Sequence, residues 1–128
     1  MEINWLAVFA AAASSFVLGG LWYSALFAKS WQSAAGLSDA QMKSGNPALI
    51  FGGSFVLALI ASATFAMFLG DVDATTGMLY GLCAGLCWVS ASFGINYLFE
   101  RKPLALFLIN GGYHTLQFTL IGLILGAL

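Results

Sequence analysis

Residues 100–128 read ERKPLALFLINGGYHTLQFTLIGLILGAL. Three charged side chains, Glu100, Arg101 and Lys102, are followed by Pro103 and then by an uncharged run over 104–127. Proline suits a helix start, where its missing N–H costs nothing. A helix over that run rises about 36 Å, enough to cross a hydrocarbon core of about 30 Å with some tilt. The stretch therefore reads as a transmembrane helix that begins at a charged border.

Three further stretches have the same character: residues 4–27, 48–69 and 75–98. The remaining charges lie between them, with Glu2 at the start, Lys29, Asp39 and Lys43 in one segment, and Asp71 and Asp73 in another. Over 128 residues the chain is 61% hydrophobic and 7% charged, against about 45–50% and about 25% in soluble domains. Its mean hydropathy is +0.94. A soluble domain of this size keeps too much wet surface to hide so many apolar side chains, and a disordered chain has far less to bury. Membrane-barrel strands would be about half as long and would alternate polar with apolar. Helices satisfy their own backbone groups in lipid. The expected fold is an all-α membrane protein: one domain over 1–128, with four transmembrane helices in a bundle.

The connections carry helix signals. Asn46-Pro47 puts proline at the start of the second span, and Thr75 or Asp73 can cap the third. Ser38-Asp39-Ala40-Gln41 is a capping-box pattern, which predicts a short interfacial helix near 38–44, between the first and second spans. Trp5, Trp22, Tyr23, Trp31 and Tyr97 fall near span ends, as aromatic-belt residues do. The first stretch has no Lys or Arg before it and is too long for a signal-peptide core, so it reads as a retained helix. Lys29, Lys43, Arg101 and Lys102 all fall in the two segments on one side of such a topology. The positive-inside rule then predicts a multi-pass membrane protein with those two segments in the cytoplasm and both termini outside.

Close backbone approach drives helix association in lipid. Small residues recur every fourth position: Ala7, Ala11, Ser15 and Gly19; Ser54, Ala58, Ser62 and Ala66; Gly77, Gly81 and Gly85; Gly122 and Gly126. These ridges serve either packing within one bundle or contact between subunits. On an ideal helix the third ridge lies opposite Cys83, Cys87, Ser90 and Gly94, which gives that helix two packing faces and favours a homo-oligomer. The two cysteines read as small packing residues. A weak 2+2 internal repeat is also present. Gly20-Leu21-Trp22-Tyr23 resembles Gly94-Ile95-Asn96-Tyr97, and Pro47, Phe51 and Gly70 are spaced as Pro103, Phe107 and Gly126. Duplication and chance both fit it.

Polar residues are few within the spans. Asn110, Tyr113, His114 and Gln117 follow i, i+3, i+4, i+7 and share one helical stripe. His114 is about eleven residues past Pro103, near the bilayer midplane. A neutral imidazole needs an acceptor for one nitrogen and a donor for the other, and its stripe neighbours can supply both. Asn96, Tyr97, Trp22, Tyr23 and Ser24 extend the polar strip toward the basic end. An ionisable group at this depth is a functional candidate. The readings are an interhelical hydrogen-bond network, a path for a small solute, ion or proton, and a haem or metal ligand. The last is weakest, because one histidine without a second ligand makes a poor site.

Other chemistry is excluded or unsupported. Net charge of −1 leaves no basic footprint for nucleic acid. Two cysteines and one histidine form neither a zinc cluster nor a disulfide framework. No HExxH, GxSxG or Walker pattern occurs. No carboxylate lies inside a span, so proton-coupled export on a membrane glutamate is unsupported. No catalytic residue, metal or cofactor is expected, and the chain does not read as an enzyme. Glu100, Arg101 and Lys102 read as a cytoplasmic anchor that pairs with itself and with lipid phosphates.

Residues 96–104, Asn-Tyr-Leu-Phe-Glu-Arg-Lys-Pro-Leu, continue to Leu108-Ile109-Asn110-Gly111-Gly112-Tyr113-His114. Upstream stand Gly20-Leu21-Trp22-Tyr23-Ser24, Trp31, Gly36-Leu37-Ser38, Met42 and Asn46-Pro47. Together these resemble domain-of-unknown-function family 1761 along nearly the whole chain. The resemblance implies a short bacterial protein of about four spans, hence of the inner (plasma) membrane, and no particular activity. The expected function is that of an oligomeric channel or transporter for a small solute or ion, with the polar stripe of the fourth span as its lining. The alternative is a structural or accessory protein that packs against an unknown protein partner and has no substrate.

Overall fold

A computed structural model describes residues 2–128. Among them there is no strand; the elements are helices. Four are long and apolar enough to cross a membrane: α1 (Trp5–Leu26), α4 (Pro47–Leu69), α5 (Ala74–Glu100) and α6 (Leu104–Ala127). Two short ones, α2 (Ala28–Ala35) and α3 (Asp39–Ser44), join α1 to α4.

The borders follow local chemistry. The Asn4 side chain accepts from the Ala7 N–H at the start of α1. At the start of α4, Asn46 accepts from Ala48 and Leu49, with Pro47 in the first turn. Both halves of the Ser38/Gln41 capping box form, and they start α3. Of the two expected caps for α5, Asp73 is the one used. α2 has no counterpart in the sequence reading. It ends on Gly36 at φ 74°, the left-handed conformation that glycine adopts freely. α5 ends on a left-handed residue too, but this one is Arg101, at φ 58°.

The Asp73 cap makes a testable contribution. Hydrogen bonding from the Thr76 side chain and backbone holds the Asp73 carboxyl below its ordinary value near 3.8. A carboxylate whose folded value is depressed adds stability above its unfolded value, and that stability is lost as pH falls through the folded one. Resistance to SDS unfolding should therefore decline on the acid side, as pH falls below the ordinary carboxylate value near 3.8. Asp73→Asn, a neutral cap, should remove this residue's share of the decline.

α1 and α5 each contain a π-helical turn, Leu21–Leu26 in α1 and Ala84–Val89 in α5. The Phe27 N–H reaches the Trp22 carbonyl, and the Ser90 N–H reaches the Gly85 carbonyl, both five residues back. Each such turn takes up one extra residue. In α5 this changes what the sequence implies. Ser90 and Gly94 do not lie opposite Gly77, Gly81 and Gly85. The step of five between Gly85 and Ser90 brings all five small residues onto the face that meets α6. Cys83 and Cys87 then point outward and are exposed, so they do not pack within the bundle.

The long helices run alternately up and down. α6 is central: α5 lies along one side of it and α1 along another, and α4 packs mainly on α1. α5 makes no comparable contact with α1 or α4. Since α1 packs on α6 without a matching contact of α5 with α4, the packing does not follow two-fold related copies. The core is small: Ala7, Val8, Ala11, Ala12, Ala58, Ala84, Leu106, Ile109 and Ile121 are the buried apolar residues. Large apolar side chains face outward, with Phe68 89%, Phe99 85% and Leu98 80% exposed. In water such a surface would aggregate; in hydrocarbon it is solvated.

Candidate functional site

The polar side chains of α6 meet α1 and α5 in one junction. Tyr23 Oη donates to Asn110 Oδ1 at 2.6 Å, and Asn110 Nδ2 donates to Tyr97 Oη at 2.7 Å. One amide thus ties α1 to α5 across α6. Beside it, Trp22 Nε1 donates to the Ile109 carbonyl at 2.8 Å, and Tyr113 Oη donates to the Ser15 carbonyl at 3.0 Å. Two glycines admit these rings. A Cβ on Gly112 would stand 2.9 Å from Trp22 Cζ2, and Gly19 lies under the Tyr113 ring. Trp31, from α2, packs edge-on against Tyr23 with centroids 5.6 Å apart, closing the junction toward the basic end.

His114 lies one turn deeper. Its ring stacks on Phe93 of α5, with centroids 4.8 Å apart and planes at 10°, and meets the Tyr113 ring at 5.0 Å. Nδ1 is 2.8 Å from Gln117 Oε1. An amide oxygen only accepts, so Nδ1 carries the proton and Nε2 keeps a lone pair. Nε2 has no hydrogen-bond partner among the described residues. His114 is half-buried, so Nε2 is left without a partner in a partly covered position.

Further along, Ser90 Oγ and Thr115 Oγ1 both donate to the Gly111 carbonyl, at 2.8 and 2.7 Å. Thr119 Oγ1 donates to the Thr115 carbonyl at 2.6 Å. There the polar groups end. Gly77, Gly81 and Gly85 face Gly122, Phe118 and His114 of α6 backbone to backbone, and Gly126 faces the Asp73 carbonyl. The five glycines of the two ridges are thus engaged between α5 and α6 within the protomer. The polar column runs from the basic end along α6 to Thr119, its deeper half lying beside the glycine seam.

Most of the residues singled out in the sequence come together: Trp22, Tyr23, Tyr97, Asn110, Tyr113, His114 and Gln117. Asn96 does not join them. It is exposed, because the residue next to Tyr97 on a helix points about 100° away. Ser24 is also exposed and turns back to the Gly20 carbonyl. Glu100, Arg101 and Lys102 are exposed at the α5–α6 turn. Phe93, Ser90 and Thr115 were not singled out for the site. The step of five in the small-residue ridge is the signal that would have put Ser90 against α6. Among the described residues, no three His, Cys, Asp or Glu side chains gather as a metal site. At the opposite end Asn4 Nδ2 donates to the Leu128 carbonyl at 3.1 Å, beside a recess of about 650 Å³ that Glu2, Asp71 and Asp73 help to line.

Four spanning helices with a lipid-facing apolar exterior define an integral, multi-pass membrane protein. The chain belongs to the family described as protein of unknown function (DUF1761), whose model matches residues 6–126. No curated protein and no solved structure matches it.

Proposed function

We propose that this chain is one protomer of an oligomeric channel or transporter that passes a small polar solute or an ion along the polar face of α6. The observation that carries this reading is the half-buried His114 of α6, whose Nε2 has no hydrogen-bond partner among the described residues. A polar group bare to hydrocarbon is costly, so a second copy, water or a solute covers it. Four helices packed on one another leave no bore, and a path therefore runs between protomers. The chain has no chemistry of its own to perform in this reading. It sits in a bacterial inner membrane with its termini outside, as the basic segments favour.

Purified protein should run as a defined oligomer, and proteoliposomes should show flux of a small ion or polar solute. His114→Ala should lower that flux about three- to twentyfold, the worth of one intramembrane hydrogen bond. A strict monomer without flux for any tested solute would reject the proposal. The polar side-chain bonds of α6 go no further than Thr119, which favours a second reading as an accessory protein without a substrate. That reading expects unchanged membranes and a co-purifying partner instead.

A further inference from the structure

A second recess, of about 520 Å³, opens where α5 ends and α6 begins. Its walls are apolar and include Ala91, Gly94, Leu98 and Phe107; Arg101 and Lys102 stand at its end. Phe107 packs directly onto Gly94, where a Cβ would stand 2.9 Å from Cε1, and the two close the floor of the recess. Glu100 adjoins the two cations in sequence, but no ion pair within 4.0 Å forms among the described residues. The chain itself therefore does not neutralise them. Arg101 also holds a left-handed conformation that glycine would hold without strain. Its N–H bonds back to the Leu98 carbonyl, and the Lys102 N–H to the Tyr97 carbonyl, which fixes the turn at the groove mouth. A strained position filled by arginine, where glycine is the ordinary choice, points to a use for the guanidinium.

We propose that this groove binds one anionic phospholipid. An acyl chain lies in the groove over the α5–α6 joint, along Gly94, Leu98 and Phe107, and Arg101 and Lys102 hold the phosphate. The charges match, and so do the depths: an apolar slot within the span ends in two cations at its border, as one lipid molecule ends in a phosphate. Arginine adds bidentate bonding to phosphate oxygens, and lysine adds a point charge. A zwitterionic lipid has the same chains without the net charge, so it binds the groove less well.

The test is native mass spectrometry of the full chain in mild detergent, with phosphatidylglycerol or phosphatidylcholine added at equal concentration. One phosphatidylglycerol should be retained in preference. Arg101→Gly and Lys102→Gln should each weaken retention about fivefold, and the pair about thirtyfold. Arg101→Gly relieves the backbone rather than straining it, so loss of binding in that variant is not loss of fold; its resistance to SDS unfolding should equal or exceed the parent's. Ala91→Phe, which fills the groove, should remove the lipid with both cations in place. Equal retention of the two lipids, or unchanged retention in Arg101→Gly and Lys102→Gln, would overturn the proposal. So would displacement by inorganic phosphate at the same concentration, because the acyl slot would then play no part. A shift in oligomer mass in Ala91→Phe with the lipid still bound would put a second copy in the groove and overturn it too.

Discussion

Gly81→Ala should destabilise the protein by at least about 3 kcal/mol, at or beyond the upper end of ordinary overpacking. Gly52→Ala should leave it unchanged or up to about 1 kcal/mol more stable. Both exchanges replace glycine by alanine inside a spanning helix, and both gain the same helix propensity. What differs is the neighbour. A Cβ on Gly81 would run into the Phe118 carbonyl, well inside contact distance, with the Thr119 Cα only 3.1 Å away. These are backbone atoms, so no side chain can swing aside and the two helices must part. Parting them along the seam would loosen Gly77 against Gly122 and Gly85 against the His114 carbonyl as well, because the ridge is one continuous surface. Around Gly52, on the outward side of α4, nothing lies within 4 Å. SDS titration of the refolded protein in mixed micelles measures both. Equal stability for the two variants would mean that α5 and α6 do not pack as described.

Hydropathy and charge made the four spans legible, because lipid as solvent leaves few other ways to arrange nine charges. Capping chemistry set several borders: Ser38 with Gln41, Asn46 with Pro47, and Asp73 are local devices that sequence states outright. Packing is where that legibility fails. The stripe Asn110, Tyr113, His114, Gln117 is visible from spacing alone, and so is the His114–Gln117 bond within it. Which hydroxyls meet Asn110 depends on the register of α1 and α5 against α6, set by contacts between residues far apart in the chain. Tyr97 reaches Asn110 and Asn96 does not, a distinction of 100° that depends on the whole helix being rotated correctly. AKSWQSAA has neither a long apolar run nor a side-chain cap, so α2 shows in the sequence only through Gly36. Ideal helical spacing puts Ser90 and Gly94 on the wrong face because the helix is π-helical through Ala84–Val89.

That π-turn leads to the second large effect, which runs against ordinary expectation. Deleting one residue from a spanning helix normally turns everything beyond it by about 100° and shifts it by about 1.5 Å. In α5, deletion of Leu86 should be tolerated. The turn already holds one residue more than an α-helix needs, so its loss lets Ala84–Val89 close into regular α-helix. The ridge then steps by four throughout, with Gly77, Gly81, Gly85, Ser90 and Gly94 still facing α6. Leu86 itself is 54% exposed, so its side chain leaves the lipid face and not the core. The cost should stay within about 1–2 kcal/mol, in the usual range of single changes. The control is deletion of Ile60, also 54% exposed but in α4, which is α-helical throughout. There no spare residue exists. Ser62 turns away from the face it shares with Ala58, the two buried residues of α4, and everything beyond Ile60 leaves its register on α1. That deletion should prevent recovery of folded protein, or cost several times as much in SDS titration. Cross-linking between cysteines placed at Gly94 and Phe107 gives a second readout for the α5 deletion, since this pair should still meet. If the two deletions proved equally damaging, the extra residue would not lie in α5, and Ser90 and Gly94 would belong on its other face.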